Sequence, residues 1–211
     1  SVSSLASLAP TYAAALRALW SAAPVVDVDP NEPGSRSAGP QEALGRCNGG
    51  AGGCILQLRA NTTYLLTEHA TWYSATGGPE PRTAFHTNGA DDVWLRGHGD
   101  SSVITYTQVG SGPDRYIRNF MLTANYGSQR VLFSDFHVER IDQCTVDCQE
   151  YAMVFAMLGN VSDITIDRVT VRSTQLAHDS GYPGRNVFMV FPIAYPSATR
   201  EHTPRRVVVQ N

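Results

Sequence analysis

The chain has 211 residues, 42% hydrophobic and 17% charged, which suits one packed domain and excludes wholesale disorder. A formal net charge of -3 excludes a nucleic-acid binder held by a basic, phosphate-contacting face. All 16 basic residues are arginine, which also excludes P-loop phosphate binding, Schiff-base chemistry and a lysine general base.

Leu5, Leu8, Tyr12, Leu16 and Leu19 form one apolar stripe at three- and four-residue spacing. That spacing predicts a short helix capping a core within residues 1–22, with Pro10 tolerated in its first turn and Pro24 beyond its end. The opening SVSSLASLAP has neither an initiator Met nor a basic n-region, and reads as the start of a mature or trimmed chain. Val25-Val26-Asp27-Val28 alternates as a strand does. Residues 30–53 are rich in Pro, Gly and Ser and predict an exposed loop. No apolar run approaches the ~18 residues a membrane helix needs.

The four cysteines fall in two tight pairs, Cys47 with Cys54 and Cys144 with Cys148, and neither pair has zinc-ligand spacing. Two local disulfides and an oxidising compartment are expected, with reduced, idle thiols as the alternative. The sequons at Asn61 and Asn160 point the same way, toward a secreted or cell-surface glycoprotein.

From residue 54 onward, period-two patterns replace helical ones. Val131-Leu132-Phe133-Ser134-Asp135-Phe136-His137-Val138-Glu139 overlays Ile164-Thr165-Ile166-Asp167-Arg168-Val169-Thr170-Val171-Arg172, with every apolar position matched. Looser copies begin at Val93 and Val207. Each is preceded by a second apolar stretch, at 83–86, 120–123, 154–158 and 189–193. The bends at Ser134-Asp135 and Asp167-Arg168 are too tight for propeller hairpins, so parallel repeats stacked in register fit better. Stacking sets Asp135 beside Arg168 and Glu139 beside Arg172, at a strand spacing of ~4.8 Å.

Three segments resemble the right-handed parallel β-helices of the pectate-lyase-like superfamily. Ala13 to Trp20 followed by Val25 to Val28 looks like the capping helix and first strand. Gly53-Cys54-Ile55-Leu56-Gln57-Leu58-Arg59-Ala60-Asn61-Thr62-Thr63-Tyr64-Leu65-Leu66 is similar to the entry coil, with Asn61 where a turn glycine is usual. Asp92-Val93-Trp94-Leu95-Arg96-Gly97-His98-Gly99-Asp100-Ser101-Ser102-Val103-Ile104 resembles the coil that follows. The resemblance implies an all-β, right-handed parallel β-helix with a short N-terminal capping α-helix, built as one domain over residues 1–211. It specifies activity poorly, because such folds serve lyases, hydrolases, epimerases and inert scaffolds alike.

The candidate chemistry lies on the bends and outward positions. Gly97-His98-Gly99 is superficially similar to a hydrolase motif, but the partner aspartates of that motif are missing, and His98 reads as a turn residue. A lyase acting on an acidic glycan needs acids for substrate or calcium and a base for the proton alpha to the uronate carboxyl. Asp135, Glu139 and Asp167, with Asp163 nearby, are the acids; Arg168 and Arg172 are the bases. The same residues can simply form a charge ladder between repeats, and that is the favoured reading. His137 is expected to point outward as an acid–base group, alongside Arg140, His178 and Arg185. Trp94 is the foremost aromatic platform for a sugar ring, ahead of Trp72, Tyr73, Tyr106 and Tyr116, unless it packs under the N-terminal loop. Calcium is the one cofactor this chemistry would invite; no dedicated metal cluster is assigned. Val207 to Asn211 begins a further repeat and stops, so the chain is expected to continue or another chain to cover that end. Two functions follow: binding or processing an extracellular polysaccharide, or serving as a structural element of matrix, cell wall or surface filament that assembles through its open end.

Overall fold

The computed structural model describes residues 14–15, 17–18, 20–31, 39–47, 53–66, 70–71, 82–87, 89–108, 119–142, 152–175, 188–191 and 204–210. It is mostly strand, arranged as two sheets whose members are almost all parallel. The larger sheet runs in the order β1 (Val25–Asp27), β2 (Cys54–Gln57), β6 (Val93–Gln108), β8 (Gln129–Asp142), β10 (Ser162–Gln175) and β12 (Arg205–Gln210). β3 (Thr62–Leu66) lies beside the second half of β6. The smaller sheet is ordered β11 (Phe188–Phe191), β9 (Ala152–Leu158), β7 (Asn119–Ala124), β5 (Arg82–His86) and β4 (Ala70–Thr71), with only β4 and β5 antiparallel. From β5 onward the chain visits the two sheets alternately.

The expected register is present. Val131 pairs with Ile164, Phe133 with Ile166, Phe136 with Val169 and Val138 with Val171, in parallel. Val93 joins this row beside Val131, and Val207 joins it beside Ile164. Apolar identity carries the register, because a one-residue slip would turn each inward side chain to the opposite face. The inward rows of β6, β8 and β10 meet the smaller sheet in one core, where Phe133 packs against Phe85 and Phe155.

Asp135 and Arg168 drop out of this register, and both have left-handed backbone, at φ 62° and 52°. That single residue bends each long strand into two limbs. The first limb comprises 93–96, 129–134 and 162–167; the second comprises 103–108, 136–142 and 169–175. In β6 the bend is a wider bulge from Gly97 to Ser102. Asn61 has φ 51° just before β3, which explains how it replaces a turn glycine: Asn tolerates this region better than most residues.

Two sequence-based expectations need correction. Residues 30–53 are not wholly an exposed loop, because helix α1 (Pro40–Arg46) forms there with Pro40 in its first turn and buries Pro40 and Ala43. Its Gln41 side chain donates to the His86 carbonyl (3.1 Å) and accepts from the His86 amide (2.9 Å), standing in for a strand beside β5. Composition hid a helix whose start is set by one proline. Secondly, the outer face of the first limb is covered at Ile55, Trp94 and Leu132. Ala14, Ala15, Arg17 and Ala18 are helical, in keeping with the expected N-terminal helix, and the turn after them buries Trp20 against Ile55, Trp94 and Leu132.

The Cys47–Cys54 disulfide ties the end of α1 to the start of β2. Cys144 and Cys148 lie outside the described residues. Among the described residues, no helix is long and apolar enough to cross a membrane.

Candidate functional site

The charged residues separate into those consumed by packing and those left open. Immediately before the aligned residues Val93, Val131, Ile164 and Val207 stand Asp92, Arg130, Asp163 and Arg206, all with left-handed backbone between φ 51° and 60°. Arg130 donates to both carboxylate oxygens of Asp92, at 2.5 and 2.8 Å, and Arg206 forms the same two-pronged pair with Asp163. The hydrogen bond to Asp92 holds the Arg130 guanidinium above its ordinary pKa. This alternation of sign was missed from sequence, although the residue preceding each aligned apolar position displays it. Arg130→Ala is expected to cost about 0.5–1 kcal/mol, since the pair is partly solvated. The check is a lower urea midpoint at unchanged m-value, with the difference shrinking as salt is raised.

The last residues of the first limb form a second polar row: Gln57, Arg96, Ser134, Asp167 and Gln210. Arg96 donates to Gln57 Oε1 (2.6 Å), and its guanidinium lies 4.8 Å from the Trp94 ring centroid. Trp94 donates from its indole nitrogen to Ser134 Oγ (2.8 Å), and Ser134 donates to Asp135 (2.6 Å). Arg168 donates to Asp135 Oδ1 (2.6 Å) and to Asp167 Oδ2 (2.6 Å). Asp167 is fully buried and also receives Arg17 as an ion pair and the Gln210 amide at 3.1 Å.

Of the sequence-derived candidates, Asp135, Asp167 and Arg168 therefore meet as a ladder at the bend, where their polar atoms are used internally. Trp94, only 6% exposed, lies against Trp20 with ring centroids 5.7 Å apart and presents no open face for a sugar. Its outward parity on the strand is correct; the helical segment laid over that face is what strand parity cannot reveal. His98 is exposed at the β6 bend, where its amide donates to Ser102 Oγ (2.9 Å).

His137, Glu139 and Arg172 are different. Phe136 and Val138 point into the core, so His137 and Glu139 face outward from the second limb. Thr170 neighbours His137, and Arg172 neighbours Glu139, in the β8–β10 register. The four groups thus sit on a grid of ~4.8 Å between strands and ~6.7 Å along them. None of the four makes a side-chain hydrogen bond or ion pair among the described residues, including the expected Glu139–Arg172 bridge. On the other side of β8 the same rows continue through Val103 and the buried Thr105 of β6 to Thr63 and Leu65 of β3, the last 48% exposed. The face therefore grades from apolar and hydroxyl-bearing to ionisable.

Arg140 and Tyr106 fall in β8 and β6, whereas Trp72, Tyr73, Tyr116, His178 and Arg185 lie outside the described residues. Among the described residues, no three His, Cys, Asp or Glu side chains gather as metal ligands. Asn61 and Asn160 are both exposed at turns. No family model, curated protein or solved structure matches this chain.

Proposed function

We propose that this chain is a right-handed parallel β-helix of the pectate-lyase-like kind, secreted, which binds an acidic extracellular polysaccharide across its second-limb face and cleaves it by β-elimination. One observation carries the reading: His137, Glu139 and Arg172 stand on one outward face, and among the described residues their side chains have no partner. The repeats returning in parallel and the left-handed corner at each bend support the solenoid. Leu65 and Thr63, both exposed, with half-buried Val103 beside them, supply the apolar and hydroxyl surface on which a sugar ring rests.

Arg168 is held by Asp135 and Asp167, so the chemistry passes to His137, Glu139 and Arg172. Arg172 neutralises the uronate carboxylate. His137 takes the proton alpha to that carboxylate as the general base. The released electron pair forms the ring double bond, the bond to the departing glycosidic oxygen breaks, and a water beside Glu139 returns a proton to that oxygen. Glycans at Asn61 and Asn160 belong to the same extracellular reading, and intact mass before and after deglycosylation tests them.

The experiment is appearance of unsaturated-product absorbance over a panel of uronate polymers, with and without calcium. Arg172→Ala and His137→Ala are each expected to lower the rate by about 100-fold or more. A wild-type protein silent on every polymer would overturn the enzyme.

A second reading is a non-catalytic scaffold of matrix, cell wall or surface filament, assembling through the end of the solenoid. It is favoured by the two charged rows, which commit Asp92, Asp135, Asp163 and Asp167 to holding repeat on repeat. Concentration-dependent self-association without glycan cleavage is its expected signature.

A further inference from the structure

We infer that the N-terminal helical segment is a strap that sets the bend between the limbs, with Asp167 as the positioning residue through which it acts on the second-limb face. The inference rests on the reading of that face as the glycan site.

The strap touches the first limb at two places. Trp20 is buried against Trp94, Ile55 and Leu132, and its indole donates to the Asp92 carbonyl at 2.9 Å. One helical turn earlier, Arg17 forms an ion pair with the fully buried Asp167. Burial pushes the Arg17 guanidinium below its ordinary pKa, Arg168 adds to that shift, and Asp135 opposes it.

These two anchors are joined by a continuous path. From Asp167 it runs to Arg168 (2.6 Å), Asp135 (2.6 Å), Ser134 (2.6 Å) and Trp94 (2.8 Å), and so back to Trp20. Arg17 and Arg168 balance Asp135 and Asp167 in charge, and because Asp167 is fully buried, removing Arg17 or Arg168 leaves its charge less fully compensated.

The path crosses the bend itself. Asp135 and Arg168 are its left-handed corner residues, and two positions beyond them stand His137 and Thr170, followed by Glu139 and Arg172. The corner fixes the angle at which the second limb leaves the first. Groups spaced on a strand grid serve one substrate only while that angle is constant. Lifting the strap would bare Trp94, Ile55 and Leu132 and leave Arg168 alone to neutralise both aspartates.

The test is hydrogen–deuterium exchange by mass spectrometry on the full chain, comparing wild type, Asp167→Asn, Arg17→Ala and the surface control Arg59→Ala. Both strap variants are expected to speed exchange by about tenfold in peptides spanning 14–22, 136–139 and 169–172. Peptides spanning 152–158 in the opposite sheet, and every peptide of the control, should keep wild-type rates. Faster exchange confined to 14–22, or no change, overturns the inference. Should Asp167→Asn fail to fold, Arg17→Ala decides alone, because it leaves the Asp167–Arg168 pair in place. A wild type that binds no uronate polymer would sink the proposed function, while the exchange rates would still decide whether the strap sets the bend.

Discussion

Phe133→Ala is expected to lower the unfolding free energy by about 3–5 kcal/mol. Phe133 is fully buried on the inner face of β8 and meets two rings of the opposite sheet. Phe85 stands edge-on to it at 6.3 Å, and Phe155 is tilted against it at 5.6 Å. Truncation removes the ring's own burial and both aromatic contacts, each worth about 0.5–1.5 kcal/mol beyond area. The space cannot readily close, because β8 is held by backbone ladders to β6 on one side and β10 on the other. A domain of this size has about 5–15 kcal/mol in total, so the variant should unfold at a far lower urea concentration. Phe133→Leu, which refills most of the volume, should recover more than half of the loss. A cost under about 1 kcal/mol would mean that the two sheets do not meet at this residue.

Gly97→Ala is expected to cost about 3 kcal/mol, near the top of the range for an intruding methyl group. A Cβ there would lie 2.3 Å from the Asp135 carbonyl oxygen, 2.8 Å from Phe136 Cβ and 2.9 Å from Ser102 Cβ. The first of these is backbone at a corner clamped by Arg168, so it has little room to move. Ser102 is equally fixed, accepting the His98 amide and donating to the Arg59 carbonyl. Gly99, two residues on, offers the control: nothing lies within 4 Å of its added Cβ, and only its φ of 63° opposes substitution. Gly99→Ala should therefore cost about 1–2 kcal/mol. Equal costs for the two, by urea denaturation, would contradict the close approach of the repeats at the bend.

The parallel register was legible in the sequence because Val131, Phe133, Phe136 and Val138 recur as Ile164, Ile166, Val169 and Val171 with no gap between them. The Asp135–Arg168 pair was legible for the same reason, since both occupy the one position the ladder skips. What lay outside this periodicity was harder to see. Asp92, Arg130, Asp163 and Arg206 precede the repeating apolar positions, where no apolar period marks them, and their alternation of charge emerges only once the rows are stacked. Trp94 was read correctly as outward, but parity within a strand carries no information about Trp20, which lies 74 residues earlier and covers it. The division of the ionisable residues into bound and open sets also depends on that cover. Arg17 commits to Asp167 from the strap, whereas nothing on the strap reaches Glu139 or Arg172 among the described residues. Helix α1 escaped because Gly and Pro around it read as loop, and its one strong signal, Pro40 at the first turn, is shared with turns.

The most direct measurement is a heteronuclear NMR titration of the intact protein with a short uronate oligomer, following backbone amides. Shift changes concentrated at 103–105, 137–139 and 170–172, and abolished by Arg172→Ala, are the predicted result. Changes centred on the first limb, or none at ligand concentrations of several millimolar, would contradict the assignment of an acidic-glycan site to the second limb.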